Sequence, residues 1–341
     1  MQPSAHDVRR RLGALLPAAA LAGADDGPGL ERTAGPPVDP PRVRAATPVE
    51  GHAVRARPVP PAPRAGGPGT EAGFSAFLDG TQHSRVIGYV DGLPVVHGTV
   101  AAVVRVRRNR RLTTWGRGPV VERRVYAPLA CLAAAARSAL ESLARELALD
   151  LVDTAEARAG EDVNLAHPFA VSDRALGMVK EDRERAEKGL AERWCRQEQE
   201  PLFVDGGIQE SEVVARARCV AGVVKSHRTL YVDAEALRTV LALRQGERST
   251  AFLVGSARRT PVASWYLRLR DPAGRDPMWG LVRVEAAAPD PAEAPDAFAE
   301  RIDRLSRWVM AEAAPLSLPD ARWDKLAYGV HDCEQFLRAV C

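Results

Sequence analysis

Apolar and polar positions change their period several times along the chain, and each change predicts an element. From Ser75 the pattern is that of strands: Ala76–Asp79, Val86–Val90 and Leu93–Arg107 are rich in Val, Ile and aromatic residues. Asp91-Gly92, between the last two, predicts a hairpin turn. Residues 127–149 then place apolar side chains at i, i+3 and i+4, which predicts a helix. A second, longer helix is predicted over 172–198, with Ser172-Asp173 offering its cap. It leads into Leu202-Phe203-Val204, a short continuous apolar run that suits a buried strand. Further on the pattern predicts strands at Cys219–Lys225, Trp265–Arg270 and Leu281–Glu285. Helices are predicted at Ala234–Leu243, Asp296–Ala313 and Asp324–Val340. A meander of strands followed by strands mixed with helices favours an α/β domain on a mixed sheet. No repeat at solenoid spacing is present.

Before Ser75 the periodicity is lost. Residues 1–22 hold a helix reaching to about Leu21, and 23–72 are dominated by Gly, Pro, Ala and Arg, with Pro36-Pro37, Pro40-Pro41 and Pro58-Val59-Pro60-Pro61. Such a composition buries too little apolar surface to fold, so a disordered, partly polyproline linker is expected there, with the folded domain over 73–341. Arg9-Arg10-Arg11 ahead of an Ala- and Leu-rich stretch looks loosely like an export signal. That stretch is split by Pro17 and makes an equally good short amphipathic helix. No run approaches the length that spans a bilayer. The five cysteines are scattered without a C-x-x-C pair, which argues for free thiols in a reducing compartment. A cytoplasmic protein without a membrane partner is the expectation.

The formal net charge of +3 is compatible with nucleic acid without requiring it. Asp205 ends its apolar run and is followed by Gly206-Gly207, and the same pattern occurs at Phe77-Leu78-Asp79-Gly80. For either aspartate alone, capping a turn before glycine is an ordinary explanation. A carboxylate at a strand end is costly to bury unless it holds a cation or a proton, so two of them suggest convergence on one metal site. Lys225, at a strand end, suits neutralising a phosphate oxygen or positioning water, or is a surface lysine. Arg283 and Glu285 alternate with valines, as a cross-strand ion pair would. The most basic run holds Arg105, Arg107, Arg108, Arg110 and Arg111, followed by Trp115, Arg117, Arg123 and Arg124. It reads as a nucleic-acid backbone contact, with Trp115 able to stack on a base, or as a solvated hairpin. The chain has no Gly-x-x-x-x-Gly-Lys-Ser/Thr loop and so no evident ATPase.

The order of these segments resembles that of the NurA family of DNA nucleases over residues 73–341. The resemblance is carried by Phe77-Leu78-Asp79-Gly80, by the long helix into Leu202-Phe203-Val204-Asp205-Gly206, and by Val220-Ala221-Gly222-Val223-Val224-Lys225-Ser226. Trp265-Tyr266-Leu267-Arg268-Leu269, Val282-Arg283-Val284-Glu285 and His331 in the last helix complete it. It implies an RNase H-like fold related to the PIWI domain, a mixed sheet flanked by helices. It also implies a manganese- or magnesium-dependent deoxyribonuclease, with two ions, acting on DNA ends as a homodimer docked on a HerA-type hexameric ATPase. Asp79 and Asp205 carry over as the two aspartates and His331 as the histidine, with Tyr328 on its face. A lone helix histidine is equally a hydrogen-bonded, half-buried one, and Asp332 or Glu334 can orient or replace it. His83, His97 and His227 are further candidates. The family's glutamate falls on the long helix, where Glu181, Glu184, Glu187, Glu192 and Glu198 compete; Val179, Ala186, Leu190 and Trp194 define a buried face, which Glu187 borders, while Glu184 lies further round and Glu192 points away. End resection at double-strand breaks and defence against phage both fit such an enzyme. A dimeric clamp for DNA or an ATPase, without activity, is the non-enzymatic alternative.

Overall fold

The computed structural model describes residues 4–15, 21–22, 42–61, 73–109, 111–156, 167–256, 259–313, 325 and 327–341. In chain order its elements are α1 (Ala5–Leu15), β1 (Leu21–Ala22), β2 (Arg42–Arg44), β3 (Thr47–Pro48), β4 (Ala56–Pro58), β5 (Ala76–Val90), β6 (Leu93–Arg108), β7 (Arg111–Thr114) and β8 (Val120–Ala127). Then come α2 (Ala134–Leu147), β9 (Asp150–Asp153), α3 (Pro168–Gln197), β10 (Leu202–Asp205), α4 (Glu212–Ala215), β11 (Val220–Val224) and β12 (Thr229–Tyr231). The rest are α5 (Ala234–Leu241), β13 (Glu247–Ser249), β14 (Phe252–Ser256), β15 (Arg259–Arg268), β16 (Leu281–Ala287), α6 (Pro295–Glu312) and α7 (Tyr328–Val340).

Asp91 and Gly92 both take positive φ, as a two-residue hairpin requires, and they fold β6 back along β5. β8 continues the antiparallel meander on the far side of β6. The long α3 then carries the chain back, so that β10 runs parallel to β5 and β11 parallel to β10. The central order β8-β6-β5-β10-β11, an antiparallel meander joined through a helix to two parallel strands, is the expected RNase H-like arrangement. Antiparallel β16, β15, β14 and β3 extend the sheet beyond β11, and β9 extends it beyond β8.

Strand alternation divides the core. Leu78, Val104, Leu202 and Val204 pack with Leu190 and Trp194 of α3 and with Val240 of α5. Phe77, Val103 and Phe203 face the opposite way, toward α6 and α7. β10 is thus covered on both faces, which accounts for its unbroken apolar run. α7 approaches closely because its second residue is glycine: a Cβ on Gly329 would enter the ring of Phe77.

Several boundaries differ from the periodicity. β5 is continuous through residues 80–85, because those residues pair with β6 although their side chains are mostly polar. β8 lies where no strand was expected, and its pairing with β6 delays the helix predicted over 127–149 until Ala134. α3 begins at Pro168 with His167 as its cap, four residues ahead of Ser172. The larger correction concerns the linker: residues 42–61 are docked on the sheet. β3 pairs with β14 and β4 with β13 of the main sheet, while β2 forms a separate two-stranded ribbon with β12. Sparse apolar residues suffice for this, since Ala46 and Val54 join one core while Val49 and Val59 join the other. Glu50 locks the segment by accepting two hydrogen bonds from the fully buried Arg248, at 2.7 and 2.8 Å. The remainder of the expected linker lies outside the described residues. Among the described residues no helix is long and apolar enough to cross a membrane.

Candidate active site

The parallel pairing of Val204 with Leu78 makes Asp205 and Asp79 the next residues on adjacent strands. Both follow a phenylalanine at two positions' distance, so both share the face that α7 covers. α3 crosses the other face, and Glu187 reaches the pair over Gly80; a Cβ there would overlap its carboxylate, so glycine is what allows the approach. Lys225, just beyond β11, donates from Nζ to Asp205 Oδ2 at 2.8 Å. Arg183 pairs with Glu187 one turn away and donates to Gln82 Oε1 at 3.1 Å.

Asp79 is 6% exposed. Burial, then the neighbouring charge of Asp205, pushes its carboxyl up to about 8, although Lys225 and the Gly80 N–H pull the other way. Burial likewise pushes Glu187 up to about 7 against the pull of Arg183. Glu184 is the more exposed glutamate and pairs with Lys180 at 3.6 Å. It is therefore Glu187 that stands with the aspartates.

A cavity of about 400 Å³ is lined by Asp205 and Glu187, while the buried Asp79 is not part of its lining. Its walls are α3, the loop 206–211, and Thr229 and Tyr231 of β12; Lys180, Lys188, Arg228 and Arg259 are among the cations around it. Glu285, fully buried, fixes the loop by accepting from the Ile208 N–H at 2.9 Å and from Gln209 Nε2 at 2.6 Å. Arg283 donates to Glu285 at 2.5 Å and to Ser264 Oγ at 3.0 Å. The two charges are thus a pair along one strand, not across strands, and they position the loop after Asp205.

His331 lies half-buried on α7. Its helix touches β5 near the aspartates through Cys333, whose Sγ donates to the Phe77 carbonyl at 3.5 Å. Burial, and then Asp79, push that thiol well above its usual range. Asp332 is taken up by Arg105 at 2.6 Å, and Tyr328 is exposed. His227 Nε2 donates to the Leu281 carbonyl, 2.8 Å away, and burial lowers the imidazole to about 4. His97 is buried and lowered to about 4, by burial and then by Arg123, while His83 is exposed.

The basic run is divided by strand alternation. Arg105 and Arg107 point to the face covered by α6 and α7 and are bound internally, contrary to a role at DNA. Arg105 holds Asp332, Thr114 and the Leu112 carbonyl. Arg107 makes a two-pronged pair with Glu312, at 2.7 Å on both arms, and lies over the Phe77 ring. Arg108 and Arg111 are exposed, and Arg110 lies outside the described residues. Trp115 is no open stacking platform either: it packs edge-on against Trp194 and donates to Glu198 at 2.9 Å.

Among the described residues no three His, Cys, Asp or Glu side chains already form a metal cage. The donor set nonetheless fits a hard divalent cation. Asp79, Asp205 and Glu187 offer only carboxylate oxygens, and the raised Asp79 and Glu187 show a cluster short of positive charge.

No family model matches the chain, and no curated protein matches it. One similar solved structure is the NurA nuclease from Sulfolobus solfataricus. It aligns with a TM-score of 0.40 and 12% identity over 77% of each chain. A likeness of that degree carries no inference about chemistry, which rests on the geometry above.

Proposed function

We propose that the protein is a metal-dependent nuclease that hydrolyses phosphodiester bonds of DNA at or near ends. The observation that carries this reading is the register of β5 and β10, which sets Asp79 beside Asp205 with Glu187 brought in over Gly80. Asp79, Asp205 and Glu187 would hold manganese or magnesium, as one ion or two, with His331 as a further ligand from α7. When bound, the cation supplies Lewis acidity toward water and the phosphate. Lys225 orients Asp205 and offers a positive charge to a phosphate oxygen. The cations of α3 and of the segment after β11 surround the acids with the charge that a polyanion needs on approach. The order of the sequence motifs extends the proposal to a homodimer working with a HerA-type hexameric ATPase in end resection, since the chain has no evident ATPase loop.

Incubating purified protein with end-labelled linear DNA and manganese tests the reading, with Asp79→Ala and Asp205→Ala alongside. The wild type should shorten the DNA, and each variant should still bind but cut roughly a hundredfold less or worse. Cutting by either variant at the wild-type rate would overturn it. A folded wild type that binds but never cuts, even with the ATPase added, would leave a docking clamp.

A further inference from the structure

The N-terminal segment reaches the candidate active site as well as the sheet. β2 runs parallel to β12, pairing Arg42 with Thr229 and Arg44 with Tyr231, and the Arg42 N–H donates to the Arg228 carbonyl at 2.8 Å. Paired residues on neighbouring strands project to the same face. Thr229 and Tyr231 both line the cavity beside Asp205, so Arg42 and Arg44 stand on the cavity face of the ribbon. Both arginines are exposed, as is Arg228 at the ribbon's start.

We infer that Arg42 and Arg44 form a phosphate-binding rim of the cavity, for the backbone of a single nucleic-acid strand lying beyond the cluster. The inference rests on the nuclease reading for the identity of the polyanion. Size favours a single strand: about 400 Å³ admits on the order of one nucleotide and no duplex. The strand must therefore leave along a wall, and this ribbon is the wall that adds two exposed arginines on neighbouring positions of one face. Side chains two residues apart on a strand are separated by roughly 6.6 Å, so two guanidinium groups can meet successive phosphates of an extended chain. Arginine suits the task because its planar fork pairs with phosphate oxygens two at a time.

The test uses the full chain carrying Asp79→Asn to suppress cutting, with a short fluorescein-labelled single-stranded DNA as probe. Anisotropy titrations between about 50 and 200 mM salt give the slope of log affinity against log salt. Adding Arg42→Gln and Arg44→Gln should lower that slope by about 1.4, since each contact to a single strand contributes about 0.7. Arg42→Lys with Arg44→Lys should keep most of the slope, whereas Arg137→Gln, on the remote and exposed α2, should leave it unchanged. Melting temperatures within a few degrees of the parent identify the effect as binding rather than undocking of the segment. An unchanged slope in the glutamine variant overturns the inference. So does a slope lost equally in the lysine variant, which marks the ribbon as a clasp only. The two readings fail separately. A chain that binds through Arg42 and Arg44 but never cuts sinks the nuclease and keeps the rim; one that cuts with an unaltered slope does the reverse.

Discussion

Asp79 carries its carboxyl in the interior with a pKa pushed up to about 8, first by burial and then by Asp205, so its charge is unfavourable in the folded, metal-free chain. A raised carboxyl gives stability that is complete below its ordinary value near pH 4 and is lost as pH climbs toward 8. Asp79→Asn should therefore melt higher than the wild type at pH 7 in a chelator, and the difference should vanish near pH 4. Manganese should raise the melting temperature of the wild type and much less that of the variant. Thermal denaturation followed from pH 4 to 8 checks both; parallel curves would mean that Asp79 does not feel its neighbours. At this scale the acid cluster was legible. A strand-end Asp-Gly leaves few places for a carboxylate; the resemblance called for a glutamate on the long helix, and helical spacing put Glu187 ahead of Glu184. Glu285 was not legible as a loop anchor, because its partners are the Ile208 N–H and Gln209, which sequence spacing does not bring near it.

Elements show where a charge count misleads. The basic run looks like one patch in the sequence, yet alternation along β6 sends Arg105 and Arg107 beneath α6 and α7. The helices that cover them come more than two hundred residues later, at 205 and 227 positions' distance for the paired acids. Local pattern holds no record of such pairings. Arg107→Met would strand the Glu312 carboxylate, which is 7% exposed, without its partner. Denaturant unfolding should show a loss of about 3 kcal/mol. DNA affinity of the folded variant should stay within about twofold. The opposite result, weaker DNA binding at unaltered stability, would return Arg107 to the nucleic-acid surface. Strands and helices with strong periods were placed well by the sequence. β8 was missed because its Val-Glu-Arg-Arg-Val pattern reads as polar until β6 pairs with it.

For the whole molecule, residues 42–61 act as a strap across the sheet's far half, and proline content hid this. Edge strands tolerate proline because the missing N–H faces no partner. Three short strands suffice when a buried ion pair pins them. Arg248 is that pin, holding Glu50 and also Asp303 at 2.5 Å. Arg248→Met should leave the central sheet folded but release the strap, raising trypsin cleavage after Arg55, which alanine follows, by roughly tenfold or more. Mass spectrometry of the fragments locates the cuts; cleavage spread evenly over the chain would mean that the whole fold had loosened instead.

Paired residues of β5 and β10, such as Ala76 and Leu202, stand far apart in the sequence, and the bond from Ser75 to Pro201 just ahead of them spans 126 positions. While the polypeptide is still being made on the ribosome, Asp79 is therefore an ordinary solvated acid with an ordinary affinity for protons. Its two acidic neighbours arrive only with α3 and β10, and the helix that covers their face arrives with α7. A growing chain is spared the repulsion of the cluster until β10 has been made, so a nascent fragment ending before β10 lacks the acid pair on which the chemistry depends.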